Sequence, residues 1–289
     1  LSVLTRMRKW LPGKLGQVPP LLPVVRLQGT IGLASPLRPG LTLAGCASSL
    51  EKAFRFDGVP AVAIIVNSPG GSPVQARLIY QRIRQLAKEH EKQVLVFVED
   101  VAASGGYMIA IAGDEIIADP SSIVGSIGVI SAGFGFVDLL EKVGVERRMH
   151  TSGTRKGILD PFQPENPDDV THLETLQQEI HEVFIEMVRA RRGDVLSDDP
   201  DLFSGLFWVG ETARSLGLID DLGDLRQVAQ ARYGDKVQLR LIGAERSIWP
   251  KRSGVGIEAM AGALDGRNGL ARDLVAALEE RSLWSRYGL

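Results

Sequence analysis

Ala61-Val62-Ala63-Ile64-Ile65-Val66-Asn67-Ser68-Pro69-Gly70-Gly71-Ser72-Pro73 changes structural character twice within thirteen residues. The apolar run Ala61 to Val66 shows no alternation, the pattern of a parallel strand whose two faces are both buried under helices. Asn67 to Gly71 is turn chemistry, Ser72 can cap a helix, and Pro73 suits a first helical turn. Val74, Leu78, Ile79, Ile83 and Leu86 then continue at helical spacing. The same order recurs downstream. Val94 to Val98 is a second buried strand, followed by Glu99-Asp100-Val101-Ala102-Ala103-Ser104-Gly105-Gly106 and the apolar run Tyr107 to Ala112. Two strand-to-helix units predict α/β architecture on parallel strands.

Before this unit, Pro19, Pro20 and Pro23 break the chain, and Val24 to Leu27 reads as the first strand. After it, short strands are expected at Glu115 to Ala118, Gly128 to Ile130 and Val145 to Met149. Asp168 to Arg192 reads as a long helix: Asp168 and Asp169 suit its positive end, Arg189, Arg191 and Arg192 its negative end, and Gly193 stops it. Its apolar stripe runs through Val170, Leu173, Leu176, Ile180, Val183, Phe184, Met187 and Val188. Helices at Trp208 to Leu218 and Leu222 to Tyr233 and a strand at Val237 to Leu241 complete a compact domain, 23–242. It lies between a basic segment, 1–22, and a partly helical extension, 243–289.

Composition narrows the function classes. With 289 residues, 44% hydrophobic, 24% charged and a mean hydropathy of +0.04, the chain reads as an ordinary globular protein. The 33 Lys and Arg against 35 Asp and Glu give a net charge of -2, so nucleic acid is not an expected partner. One cysteine, Cys46, allows no intrachain disulfide, and no His-x-x-x-His pair is present. These counts exclude a cysteine-rich metal site and argue against zinc. The longest uncharged stretch, Pro120 to Val137, is interrupted by serines and glycines and reads as buried loops. Leu1 to Leu15 carries Arg6, Arg8, Lys9 and Lys14 around Leu4, Met7, Trp10 and Leu11 and lacks an export pattern. A cytoplasmic protein is expected, with this basic segment able to touch anionic lipid at the inner membrane face.

Ser104 stands where a buried strand turns into an apolar helix, beside the free N–H groups and positive dipole of a helix start. Such a place suits an oxyanion, and equally suits a plain helix cap. Gly70-Gly71, after the neighbouring strand, can bring backbone N–H groups to a ligand at the same sheet edge. A serine nucleophile needs a base, and the histidines fit poorly: His90 ends a charged helix, and His172 and His181 are nine positions apart on one helix, on opposite sides. His150 alone stays open. Among the lysines, Lys156 stands out in Thr151-Ser152-Gly153-Thr154-Arg155-Lys156-Gly157, although spacing alone also allows an ordinary surface lysine.

These elements in this order resemble the signal peptide peptidase A family of serine-lysine proteases, which share the ClpP and crotonase-like fold of stacked parallel sheets with flanking helices. The resemblance runs from about Val24 to Leu241. It rests on Asn67-Ser68-Pro69-Gly70-Gly71, Asp100 to Tyr107, Gly125-Ser126-Ile127-Gly128-Val129, Lys156, and Gly210 to Asp220. It implies that Ser104 is the nucleophile, Lys156 the general base and Ser126 the serine that orients it. The N–H groups of Gly71 and Gly105 would form the oxyanion hole. A single copy of the repeat implies the short form, with serine and lysine from one chain. The substrate implied is an unfolded or apolar peptide such as a remnant signal peptide, and the implied mechanism needs no metal or organic cofactor. The assembly implied is a homo-oligomeric ring, a tetramer or an octamer. Leu283, Trp284, Tyr287 and Leu289 are expected to pack on a neighbouring subunit or near an active site. Two other readings are an acyl-CoA enzyme of the crotonase type, which would need acidic catalytic groups, and a scaffold binding membrane-associated partners through Arg6, Arg8 and Lys9.

Overall fold

A computed structural model describes residues 19–32, 40–243, 278 and 280–289. Along the chain, β1 (Leu21–Gln28) leads to α1 (Leu43–Phe54), β2 (Ala61–Ser68), α2 (Pro73–Glu89), β3 (Gln93–Ala103) and the short α3 (Gly105–Ala110). There follow β4 (Glu115–Ala118), β5 (Ile123–Gly125), α4 (Val137–Lys142) and the long α5 (Pro167–Arg192). β6 (Phe207–Val209), α6 (Gly210–Ser215), β7 (Asp221–Leu222), α7 (Leu225–Tyr233) and β8 (Gln238–Leu241) complete the order.

The strands form one sheet in the order β6-β5-β3-β2-β1-β8, and every pairing is parallel except β5 with β6. It forks at β3. Leu95 to Val98 pair with β4, while Val101 to Ala103 pair with β5, so one long strand feeds two branches. Successive residues of the central strands face opposite layers. Val62, Ile64, Val66, Val94 and Val96 pack with α1, α2, α3 and part of α5, whereas Ala61, Ala63, Leu95 and Phe97 pack with Ala229 of α7. Burial on both sides is why the strand sequences run apolar without alternation.

Local signals set the element ends. Thr42 caps α1 by accepting from the Gly45 N–H, and Ser72 caps α2 by accepting from the Gln75 N–H. The buried stripe of α2 is Ala76, Ile79, Ile83 and Leu86; Val74 and Leu78 lie outside it. In α5 only Phe184, Val188 and Arg192 are buried, so the N-terminal half of its apolar stripe stands away from the core. Arg192 ends that helix with Nε on Gly217 O at 2.8 Å and its two terminal nitrogens on Asp220 at 2.9 and 3.0 Å. Beside this clamp the fully buried Tyr107 of α3 donates to Leu218 O at 2.7 Å. The 217–220 segment therefore ties α5 to α3, the helix that carries the candidate site.

Several expectations shift. Gly128 to Ile130 is not a strand; Ile123 to Gly125 pairs instead, because it continues the edge left open by the last residues of β3. Val145 to Met149 has no neighbouring edge to pair with and stays irregular. Trp208 and Val209, expected within a helix, belong to the strand Phe207 to Val209, whose Trp208 packs over Gly125, and the helix begins at Gly210. Asp224 accepts from the Arg226 and Gln227 N–H groups and so starts α7 at Leu225. Residues 1–18, with Arg6, Arg8, Lys9 and Lys14, lie outside the described residues, as does most of the helix expected from Leu270. Cys46 is a free, buried thiol, pushed up to about 11 by burial. Among the described residues no helix is long and apolar enough to cross a membrane, and no cluster of His, Cys, Asp and Glu could hold a metal ion.

Candidate active site

Ser104 closes β3 and precedes α3 with φ 52° and ψ -122°, a conformation rare for any residue but glycine. Its hydroxyl makes no capping hydrogen bond, so the simple helix-cap reading does not describe it. The backbone around it is fixed: its N–H donates to Gly125 O at 2.8 Å, and its carbonyl accepts from the Met108 N–H at 3.0 Å. A sharp, held turn that presents an uncommitted hydroxyl is what a nucleophile requires.

The glycine turn meets this elbow directly. A Cβ on Gly70 would lie 2.8 Å from Ser104 Cβ and 3.0 Å from the Gly105 nitrogen, so no side chain fits between the two. Ile31 locks the turn, its N–H donating to Gly70 O and its carbonyl accepting from the Ser72 N–H, both at 2.8 Å. This pairing leaves the Gly71 N–H out of the ladder. The Gly105 N–H belongs to the first turn of α3, where no intrahelical acceptor exists. A Cβ on Gly105 would lie only 3.5 Å from the Gly71 nitrogen, so these two groups are neighbours. Asn67, 3% exposed, supports the turn from behind through Nδ2 on Asp100 Oδ2 at 2.6 Å.

Ser104, Gly71, Gly105 and Ser126 all line one cavity of about 650 Å³, together with apolar groups that include Ile31, Met108 and Phe184. Ser126 also has a positive φ, 53°, and its N–H donates to Leu206 O at 2.7 Å. None of the described residues lining this cavity is acidic. A larger cavity, about 1130 Å³, lies along residues 131–173 and contains neither Ser104 nor Ser126.

Comparison with known proteins gives this arrangement a family. A family model described as Peptidase family S49 matches residues 86–239, more than half of the chain. The chain belongs to peptidase family S49. A Synechocystis protein named as a protease is 33% identical over 225 residues, covering 76% of this chain and 78% of that protein. The chloroplastic serine protease SPPA of Arabidopsis thaliana is 32% identical over 181 residues, covering 62% of this chain and 26% of that protein. The chain is also 56% identical over 288 residues to the Na(+)/H(+) antiporter NhaA of Brucella abortus, covering 98% of this chain but 39% of that longer protein. The S49 region carries the parallel strands and flanking helices, and the relatives that it matches include proteins named as proteases.

The expected site residues fall into two groups. Ser104, Ser126, Gly71 and Gly105 come together; Lys156 does not join them. It lies exposed on an arm, residues 129–166, that leaves the core after Ser126 and returns at α5. The arm is held to itself by stacking of Phe136 on Phe162 at 5.5 Å, by Phe136 N–H on Pro161 O at 2.7 Å, and by Arg147 over the Phe162 ring at 5.5 Å. Ile130, Phe134, Leu139, Val143 and Val145 are each more than half exposed on it.

One contributor to the cavity went unread in the sequence. His181 of α5 reaches it, with Nε2 2.9 Å from Ile127 O, although helical spacing had set all but His150 aside. His150 lies exposed on the arm. Segment 280–289 was expected near either a neighbour or an active site, and it lies at this cavity. Leu283, Arg286 and Tyr287 form part of the wall, and the Tyr287 ring meets Phe207 edge-on at 5.0 Å.

Proposed function

We propose that the chain is the catalytic part of a serine endopeptidase that hydrolyses unfolded or apolar peptides, remnant signal peptides among them, with Ser104 as nucleophile and Lys156 as general base. The observation that carries this reading is the Ser104 elbow: an uncapped hydroxyl at positive φ, in a mostly apolar cavity, beside two unpaired backbone N–H groups. In this reading Ser104 Oγ attacks the peptide carbonyl carbon and gives its proton to Lys156 Nζ. Gly71 and Gly105 hold the oxyanion, and the leaving amine takes that proton from Lys156. Water, deprotonated by the lysine, then attacks the acyl-enzyme carbonyl and frees Ser104. Ser126 orients the lysine.

Because Lys156 is exposed on the arm and absent from the Ser104 cavity, the reading includes assembly: the arm of one copy lays its apolar side chains and Lys156 against the site of another. The lack of acidic side chains among the described residues that line the cavity argues against the crotonase-type reading, whose chemistry needs carboxylates.

The test is hydrolysis of unstructured, apolar-rich peptides by the wild type, Ser104→Ala and Lys156→Ala, with fold and assembly of each checked. Loss of at least about a thousandfold in both variants is expected. Wild-type rates in either would overturn the assignment of that residue.

A further inference from the structure

The strip Gly125-Ser126-Ile127 joins three parts of the site. Gly125 O accepts the Ser104 N–H at 2.8 Å, the Ser126 N–H donates to Leu206 O at 2.7 Å, and Ile127 O faces His181 Nε2 at 2.9 Å. Two of its residues hold positive φ, 116° at Gly125 and 53° at Ser126, and the latter is a strained conformation for a serine. Such a backbone persists only when its surroundings over-determine it. The Ile127 side chain is fully buried and anchors one side. On the other side, the Ile127 carbonyl meets a histidine of α5, fifty-four positions along the chain. A carbonyl oxygen can only accept, so Nε2 is the protonated ring nitrogen and His181 is the donor.

We propose that His181 is a positioning residue of the peptidase site: its Nε2–H fixes the Ile127 carbonyl and thereby holds Ser126 in register with Ser104. The inference rests on the assignment of Ser104 and Ser126 above. It gives a role to a half-buried imidazole that the serine-lysine mechanism leaves unused, and it assigns no proton transfer to that ring. His181 acts on the chemistry through the strip, so it should affect turnover more than peptide binding.

The test compares His181→Leu, His181→Gln and His181→Asn in the full chain. Measured are kcat and KM on an apolar peptide, the labelling rate of Ser104 by a fluorophosphonate, the thermal midpoint and the assembly state. The glutamine amide nitrogen can take the place of Nε2, whereas the asparagine amide lies nearer Nδ1. Removing the donor leaves a buried carbonyl unsatisfied, so His181→Leu should lower kcat and labelling about tenfold to hundredfold with KM within about twofold. His181→Gln should recover most of both, and His181→Asn should not. Wild-type kcat in His181→Leu would overturn the proposal. So would equal losses in all three variants that track a lower thermal midpoint, since that pattern reports packing alone. Ser104→Ala, run alongside, separates the two levels: if it keeps activity, the site assignment fails; if it is dead while His181→Leu is unaffected, only the positioning role fails.

Discussion

Ser104 and Ser126 both adopt a backbone conformation that costs a non-glycine residue on the order of 1 kcal/mol, and both border the same cavity. At Ser104 the strain has a direct test. Ser104→Gly should be more stable than Ser104→Ala by about 1 kcal/mol in chemical denaturation, because glycine relaxes φ 52° and alanine does not, while neither variant hydrolyses peptides. Equal stability of the two would mean that the elbow is unstrained. Ser104, Gly70 and Gly71 were legible in the sequence because strand, turn and helix signals are local. His181 was not, because its importance comes from Ile127, which helical spacing cannot reveal. Lys156 was singled out only weakly by its neighbours; its role came from resemblance to a family, and its exposed position could not be read from spacing.

Among the elements, the buried strands and α2 followed from their patterns, whereas the strand proposed at Gly128 to Ile130 moved to Ile123 to Gly125. Both stretches have β-branched residues, and the choice was made by the open edge of β3, a partner that sequence alone does not display. Segment 280–289 is the element with the plainest functional consequence. Leu283, Arg286 and Tyr287 occupy wall positions of the Ser104 cavity, where the Tyr287 ring meets Phe207 edge-on and its hydroxyl donates to Pro69 O at 3.5 Å. An extended peptide entering the cavity must share or displace these side chains. Deleting Ser282 to Leu289 is therefore expected to raise kcat/KM on apolar peptides by a few-fold, mostly through KM. An unchanged rate with unchanged assembly would show that the segment is incidental to access.

For the molecule as a whole, the α/β layering was readable because both faces of the central strands are apolar, but the sequence does not show that the arm carries Lys156 away from its own Ser104. An exposed run of Ile130, Phe134, Leu139, Val143 and Val145 is costly to leave in water and suits contact with another copy. Co-expressed Ser104→Ala and Lys156→Ala chains test this arrangement. If the arm works between copies, a mixed assembly contains sites that pair an intact Ser104 with an intact Lys156, and part of the activity returns. If serine and lysine act within one chain, the mixture stays as inactive as either variant.

The most direct measurement is mass spectrometry of the chain after reaction with a fluorophosphonate. One adduct is predicted, on the peptide containing Ser104, absent from Ser104→Ala and much slower to form in Lys156→Ala. An adduct elsewhere, or none on Ser104 while apolar peptides are still hydrolysed, would contradict the assignment of Ser104 as the nucleophile.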